Sequence, residues 1–61
     1  MEESVSKRSR IQDAAVALFH EQGVEATSVN EIVKRANVAK GTFYVYYKDK
    51  KELISQILTK Q

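Results

Sequence analysis

The sequence predicts an all-α domain of three short amphipathic helices followed by the start of a fourth. Three observations lead there. Apolar residues recur at intervals of three and four along most of the chain, the spacing that lays them on one side of a helix. There is no proline, and the two glycines, Gly23 and Gly41, stand far apart, so no flexible linker divides the chain. Two stretches, Ser28 to Glu31 and Asp49 to Glu52, carry the side-chain pattern that caps a helix at its amino end.

Helix 1 is predicted over about Ser6 to Gln22. Ile11, Ala14, Ala15, Leu18 and Phe19 form one apolar stripe, with Arg10, Gln12, Asp13 and Val16 around the other faces. Gly23 then offers the left-handed backbone that commonly stops a helix. Val24, just beyond, is expected to fold back as the hydrophobic contact of that stop.

Helix 2 opens on the capping box Ser28-Val29-Asn30-Glu31, in which hydroxyl and carboxylate satisfy free amides reciprocally. Val29, Ile32, Val33 and Ala36 follow at helical spacing for about two turns. Asn37 tolerates the left-handed backbone nearly as well as glycine, and Val38 is expected to plug the turn. A short amphipathic helix, a tight turn and another short helix make a helix-turn-helix, here over about residues 28–47.

Helix 3, expected over about Lys40 to Tyr47, carries Phe43, Tyr44, Tyr46 and Tyr47. At about 100° per residue, Phe43 and Tyr47 share one face with Tyr46 flanking it. That face is predicted to pack on helices 1 and 2. The opposite face holds Gly41, Thr42 and Val45, with Tyr44 at its edge, and is small and neutral. A merely solvated face would normally carry Glu, Lys or Gln. Gly41 inside a helix costs about 1 kcal/mol against alanine, which points to the close approach of another backbone. Helix 4 begins on the Asp49 and Glu52 cap, and Leu53, Ile54, Ile57 and Leu58 supply its stripe. No stop signal appears before Gln61, so the helix either frays there or continues in a longer parent.

Composition narrows the functional classes. A 61-residue chain has room for one domain with a marginal core. There is no cysteine and one histidine, His20, so neither a disulfide nor a metal cluster is expected. No nucleophile with a base and no phosphate-cradling glycine loop is present, so neither an enzyme nor a cofactor is expected. No apolar run approaches the roughly 20 residues of a membrane span. The opening Met1 to Ser6 lacks the basic-then-apolar order of a secretory signal, so a soluble cytoplasmic chain is expected.

The formal net charge is only +2, but its distribution is uneven. Lys7, Arg8 and Arg10 precede helix 1, Lys34, Arg35 and Lys40 bracket the middle turn, and Lys48, Lys50 and Lys51 follow the aromatic run. Such clusters are either a solvated surface or a nucleic-acid face. The aromatic rings also suggest a stacking platform for single strands, but helical spacing turns Phe43 and Tyr47 inward. The rival from another class is a helical protein-interaction module, whose small neutral face would bind a partner helix.

The run from Ala26 to Leu53, ATSVNEIVKRANVAKGTFYVYYKDKKEL, resembles the DNA-binding half of the TetR (tetracycline-repressor-like) family of bacterial regulators. With the helix 1 pattern Ala14 to Phe19 and the Gly23 stop, the likeness covers about Ser6 to Leu58. It implies a homeodomain-like three-helix domain over residues 7–61, preceded by a flexible arm over residues 1–6. It also implies a larger carboxy-terminal domain, absent from this sequence, that dimerises and binds a small-molecule inducer. The function it implies is sequence-specific binding to double-stranded DNA, a palindromic operator, for transcriptional repression.

Phosphate contacts position such a protein, and base-edge contacts specify sequence. By resemblance and face geometry, Lys40, Gly41, Thr42 and Val45 are the base-reading candidates. Lys40 would donate to guanine, and Thr42 and Val45 would meet thymine methyl groups. The phosphate candidates are Thr27, Ser28, Tyr44, Tyr46 and Lys50, with Lys7, Arg8, Arg10 and Lys48 as nonspecific additions. The chain departs from the family pattern at Ala39, where Ser or Thr usually caps the recognition helix, at Tyr46, where histidine is common, and at Asn37, a frequent glycine.

Overall fold

The computed structural model describes residues 6–59 and forms four helices: α1 Lys7–Gln22, α2 Val29–Ala36, α3 Lys40–Tyr46 and α4 Lys50–Thr59. The arm expected over residues 1–6 lies outside the described residues apart from Ser6, which caps α1 by accepting from the Ser9 amide at 3.1 Å. No strand occurs among the described residues, and α1 packs along α2 while α3 closes against both.

The core is small and contiguous. Ile11, Ala14, Ala15 and Leu18 of α1 meet Ile32, Val33 and Ala36 of α2, and Phe43, Tyr47 and Leu53 complete the cluster. Phe19, Val29, Val38 and Ile57 pack around it, half buried. Phe43 is the largest fully buried side chain, and it comes from the shortest helix. Burying such a ring contributes about 1.5–3 kcal/mol, and α3 has only 7 residues with which to hold itself together. Its helicity therefore depends on the anchor rather than on its own propensity.

Both ends of α2 have a chemical cause. The capping box of α2 is fully formed: Ser28 Oγ accepts from the Glu31 amide at 3.2 Å, and the Ser28 amide donates to Glu31 Oε1 at 3.4 Å. Asn37 ends α2 in the left-handed region, φ 60° and ψ 47°. Its carbonyl accepts from the Arg10 guanidinium at 3.3 Å, which ties the helix-turn-helix turn to α1.

Four local expectations need correction. Gly23 has a positive φ, 93°, but its ψ of 154° takes it out of the left-handed helical well into a region open essentially to glycine alone. Val24 therefore does not fold back; it stays exposed. Tyr47 is buried, yet it is the extended residue after α3 (φ −136°, ψ 137°), so α3 ends at Tyr46. The α4 cap is asymmetric. Asp49 Oδ1 accepts from the Glu52 amide at 2.9 Å, whereas Glu52 reaches past Asp49 to the amide of Lys48, also at 2.9 Å. On α4 the wide apolar stripe is used unevenly, since Leu53 is fully buried, Ile54 and Ile57 are half buried and Leu58 is exposed.

Candidate nucleic-acid interface

The two faces of α3 differ in kind. Inward, Phe43 is sealed in the core, its ring 5.5 Å from that of Tyr47. Outward, Val45 is 76% exposed, Lys40 and Gly41 are exposed and Thr42 is half buried. Tyr44 and Tyr46 are partly exposed and lean on the buried rings. Tyr44 meets Phe43 edge-on at 5.2 Å and 80°, and Tyr46 meets Tyr47 at 6.5 Å. Each exposed tyrosine is thus braced from behind by a buried ring.

Gly41 is not needed by the fold. A Cβ built there meets no atom within 4 Å, and its backbone is ordinary helix. Nothing inside the protein explains a residue that weakens a seven-residue helix. The start of α3 is also poorly secured. Ala39 has the extended backbone of a cap but makes no side-chain cap bond. The backbone bond from the Thr42 amide to the Ala39 carbonyl, 3.0 Å, ties the first turn to it.

The predicted phosphate contacts fall into two groups. Ser28 is exposed, at the start of α2. Thr27 is a correction: it is 1% exposed, its hydroxyl donates to the Gly23 carbonyl at 2.8 Å, and its amide donates to the Val24 carbonyl at 3.2 Å. Both of its donors are spent inside the loop, so it has neither to offer a phosphate. Lys50, another phosphate candidate, is already engaged within the protein. It is half buried, and Nζ donates to the carbonyls of Val24 and Thr27, each at 2.8 Å. An ammonium has three donors, so one remains.

Charge around this face is simply arranged. Glu21 and Arg35 form a bidentate pair across α1 and α2, at 2.7 and 3.2 Å. The hydrogen bonds and charge of Arg35 hold the Glu21 carboxyl below its ordinary range, and Glu21 raises Arg35 in turn. Arg35 is thereby committed, whereas the Lys40 side chain makes no hydrogen bond or ion pair among the described residues. His20 is exposed, and no group of three or more metal-ligating side chains occurs among the described residues. No helix among them is long and apolar enough to cross a membrane.

Periodicity alone did not point to Gln22, which reaches across the approach to α2. Its amide nitrogen lies 2.7 Å from Glu31 Oε1 and 3.1 Å from the Ala26 carbonyl. No local pattern signals a contact nine residues away through a loop.

Comparison with known proteins follows the same lines. The family model described as "Bacterial regulatory proteins, tetR family" matches residues 11–57. The chain is similar to the HTH-type transcriptional regulator AcrR of Shigella flexneri, with 45% identity over 56 residues, covering 92% of this chain and 26% of that protein. It is also similar to the regulator YhgD of Bacillus subtilis, with 39% identity over 92% of this chain and 29% of the relative. Among solved structures, a transcriptional regulator from Aquifex aeolicus superposes with a TM-score of 0.86 and 48% identity, over 88% of this chain and 32% of that one. A TetR family protein from Vibrio parahaemolyticus gives 0.81 and 36%, over 85% and 29%. The chain thus spans between a quarter and a third of the length of these relatives.

Proposed function

Because the chain belongs to the tetR family of bacterial regulatory proteins, we propose that it binds double-stranded DNA to regulate transcription, with repression as the outcome. In this reading α3 enters the major groove and presents Lys40, Gly41, Thr42 and Val45 to base edges. Ser28, Tyr44 and Tyr46 meet phosphates on either side, and Lys50 adds its charge and its one remaining N–H.

The observation that carries this reading is the outer face of α3. A valine 76% exposed beside a glycine in open space, with two braced tyrosines, is a poor solvent surface. Against the floor of a groove it is a good one, since small side chains admit the helix and an apolar methyl meets the C5-methyl of thymine. Dimerisation on a palindromic operator and binding of a small-molecule inducer belong to the same reading, and we assign both to residues of a longer parent. A single module buries about 600–1,000 Å² on DNA, so two half-sites are what give useful affinity.

The test is binding to duplex DNA across a salt series. Docking on phosphates gives a log–log slope of roughly −0.9 for each phosphate neutralised. A flat response would sink this reading and leave the helical protein-interaction module in its place. Within a positive result, Tyr44→Phe weakens all duplexes alike, whereas Val45→Ala changes the preference among sequences. Identical behaviour of the two variants would contradict the division of roles.

A further inference from the structure

Gln22 ends α1 and carries no charge, yet its side chain engages three acceptors along the approach to α2. Nε2 lies 2.7 Å from Glu31 Oε1, 3.1 Å from the Ala26 carbonyl and 3.4 Å from Thr27 Oγ1. The chemistry fixes which end of the amide points inward. Glu31 offers a carboxylate and Ala26 a carbonyl, and the Thr27 hydroxyl has already given its proton to the Gly23 carbonyl at 2.8 Å. All three sites accept, so the NH2 end of Gln22 faces them, its two protons shared among the three acceptors.

We propose that Gln22 is a positioning residue for DNA binding: it holds Glu31 in the capping position and thereby fixes the first turn of α2 for contact with a phosphate. The inference rests on the DNA reading above. Glu31 Oε1 is shared between the Ser28 amide at 3.4 Å and Gln22 at 2.7 Å, so the shorter of its two restraints comes from Gln22. Without Gln22 the exposed Glu31 carboxylate is left with the longer contact alone and is free to swing. A loosened carboxylate leaves the Ser28 amide without its partner and the cap half formed, so the first turn of α2 is no longer held for a phosphate. The loop before the cap is gripped through its carbonyls on both sides, Ala26 by Gln22 and Val24 and Thr27 by Lys50. Lys50 is a poor probe of this grip because its own charge contributes to DNA binding. Gln22 is a clean one.

The experiment is the salt dependence of duplex binding by the wild-type chain and by Gln22→Leu, with helical circular dichroism and thermal unfolding measured alongside. The contact at stake is made by the uncharged Ser28 turn, so its loss lowers affinity without changing the number of phosphates neutralised by cations. The expected result is affinity weaker by about 2- to 10-fold at every salt concentration and for every duplex, with the slope and helical content unchanged. In a Ser28→Ala background the same substitution costs nothing further, which a merely structural role would not produce. A Gln22→Leu affinity equal to that of a wild type with a steep slope overturns the proposal while leaving the DNA reading intact. A flat wild-type slope overturns the DNA reading itself, and the proposal with it. Gln22→Asn, too short to reach Glu31 yet still polar, gives the same uniform loss. It decides the matter if the leucine variant does not fold.

Discussion

Lys50 donates from Nζ to the carbonyl oxygen of Thr27 at 2.8 Å, joining the first residue of α4 to the residue before the α2 cap across 23 positions of sequence. A second bond of equal length reaches Val24. The ammonium thus bridges both ends of the loop that delivers the chain into α2. Lys50→Met keeps the length of the stem and removes both bonds. Two charge-assisted bonds, one exposed and one part-buried, make the expected loss about 1–2 kcal/mol in urea unfolding. An unchanged midpoint would mean that the lysine is only solvated, since substitutions at such surface positions stay within about 0.5 kcal/mol.

Tyr47 gives a prediction of opposite sign. Its ring is 2% exposed, and its hydroxyl has no hydrogen-bond partner among the described residues. A buried unsatisfied hydroxyl costs about 1–3 kcal/mol relative to one that is paired. Tyr47→Phe keeps the ring against Phe43 and deletes the orphan atom. It should raise stability by about 1 kcal/mol, read as a higher urea midpoint at unchanged m-value. A lower midpoint would show that the hydroxyl has a partner after all.

Ala39 stands in a capping geometry with nothing to cap with, at φ −74° and ψ 151°. Ala39→Ser supplies an oxygen for the free amides of α3 without moving the backbone. The expected gain is about 0.5–2 kcal/mol in stability. Because α3 is the element proposed to enter the groove, duplex affinity rises as well. A variant that gains neither would show that this first turn is already ordered.

The Glu21–Arg35 pair predicts a pH dependence. The folded protein holds the Glu21 carboxyl below its ordinary range, chiefly through the hydrogen bonds from Arg35. Its contribution is therefore complete above the ordinary carboxylate range and lost as pH falls through the depressed folded value. Arg35, raised from an already high value, stays charged throughout. Both groups are exposed, so the effect is small and sensitive to salt. The difference in melting temperature between wild type and Glu21→Gln should be present at neutral pH and close at acid pH and in high salt. A difference that persists unchanged into acid would assign it to another cause.

The helices were legible because their causes are local. The Ile11 to Leu18 stripe, the Ser28–Glu31 box and Asn37 each act within a turn or so of the chain, and all three appear in the structure as the residues predict. The burial of Phe43 and the exposure of Val45 were likewise readable from helical spacing. Thr27 was not. It lies between an exposed alanine and an exposed serine, and only the course of the loop turns its hydroxyl onto Gly23. Tyr47 reached the core as expected but from an extended backbone, because its anchoring is by ring contact rather than by helical phase.

What the sequence determined by itself was the set of helices, their inward faces and the small neutral outer face of α3. Periodicity and capping are short-range, and 61 residues without proline or cysteine leave few ways to pack them. What only the tertiary structure decided was the state of the polar groups around that face. Thr27 is spent inside the loop, Lys50 spans two carbonyls, and Gln22 donates to Glu31. Those outcomes depend on distances across 4, 23 or 26, and 9 positions. A hydrogen bond forms only where folding brings a donor within about 3 Å of its acceptor, and residue type does not set that distance.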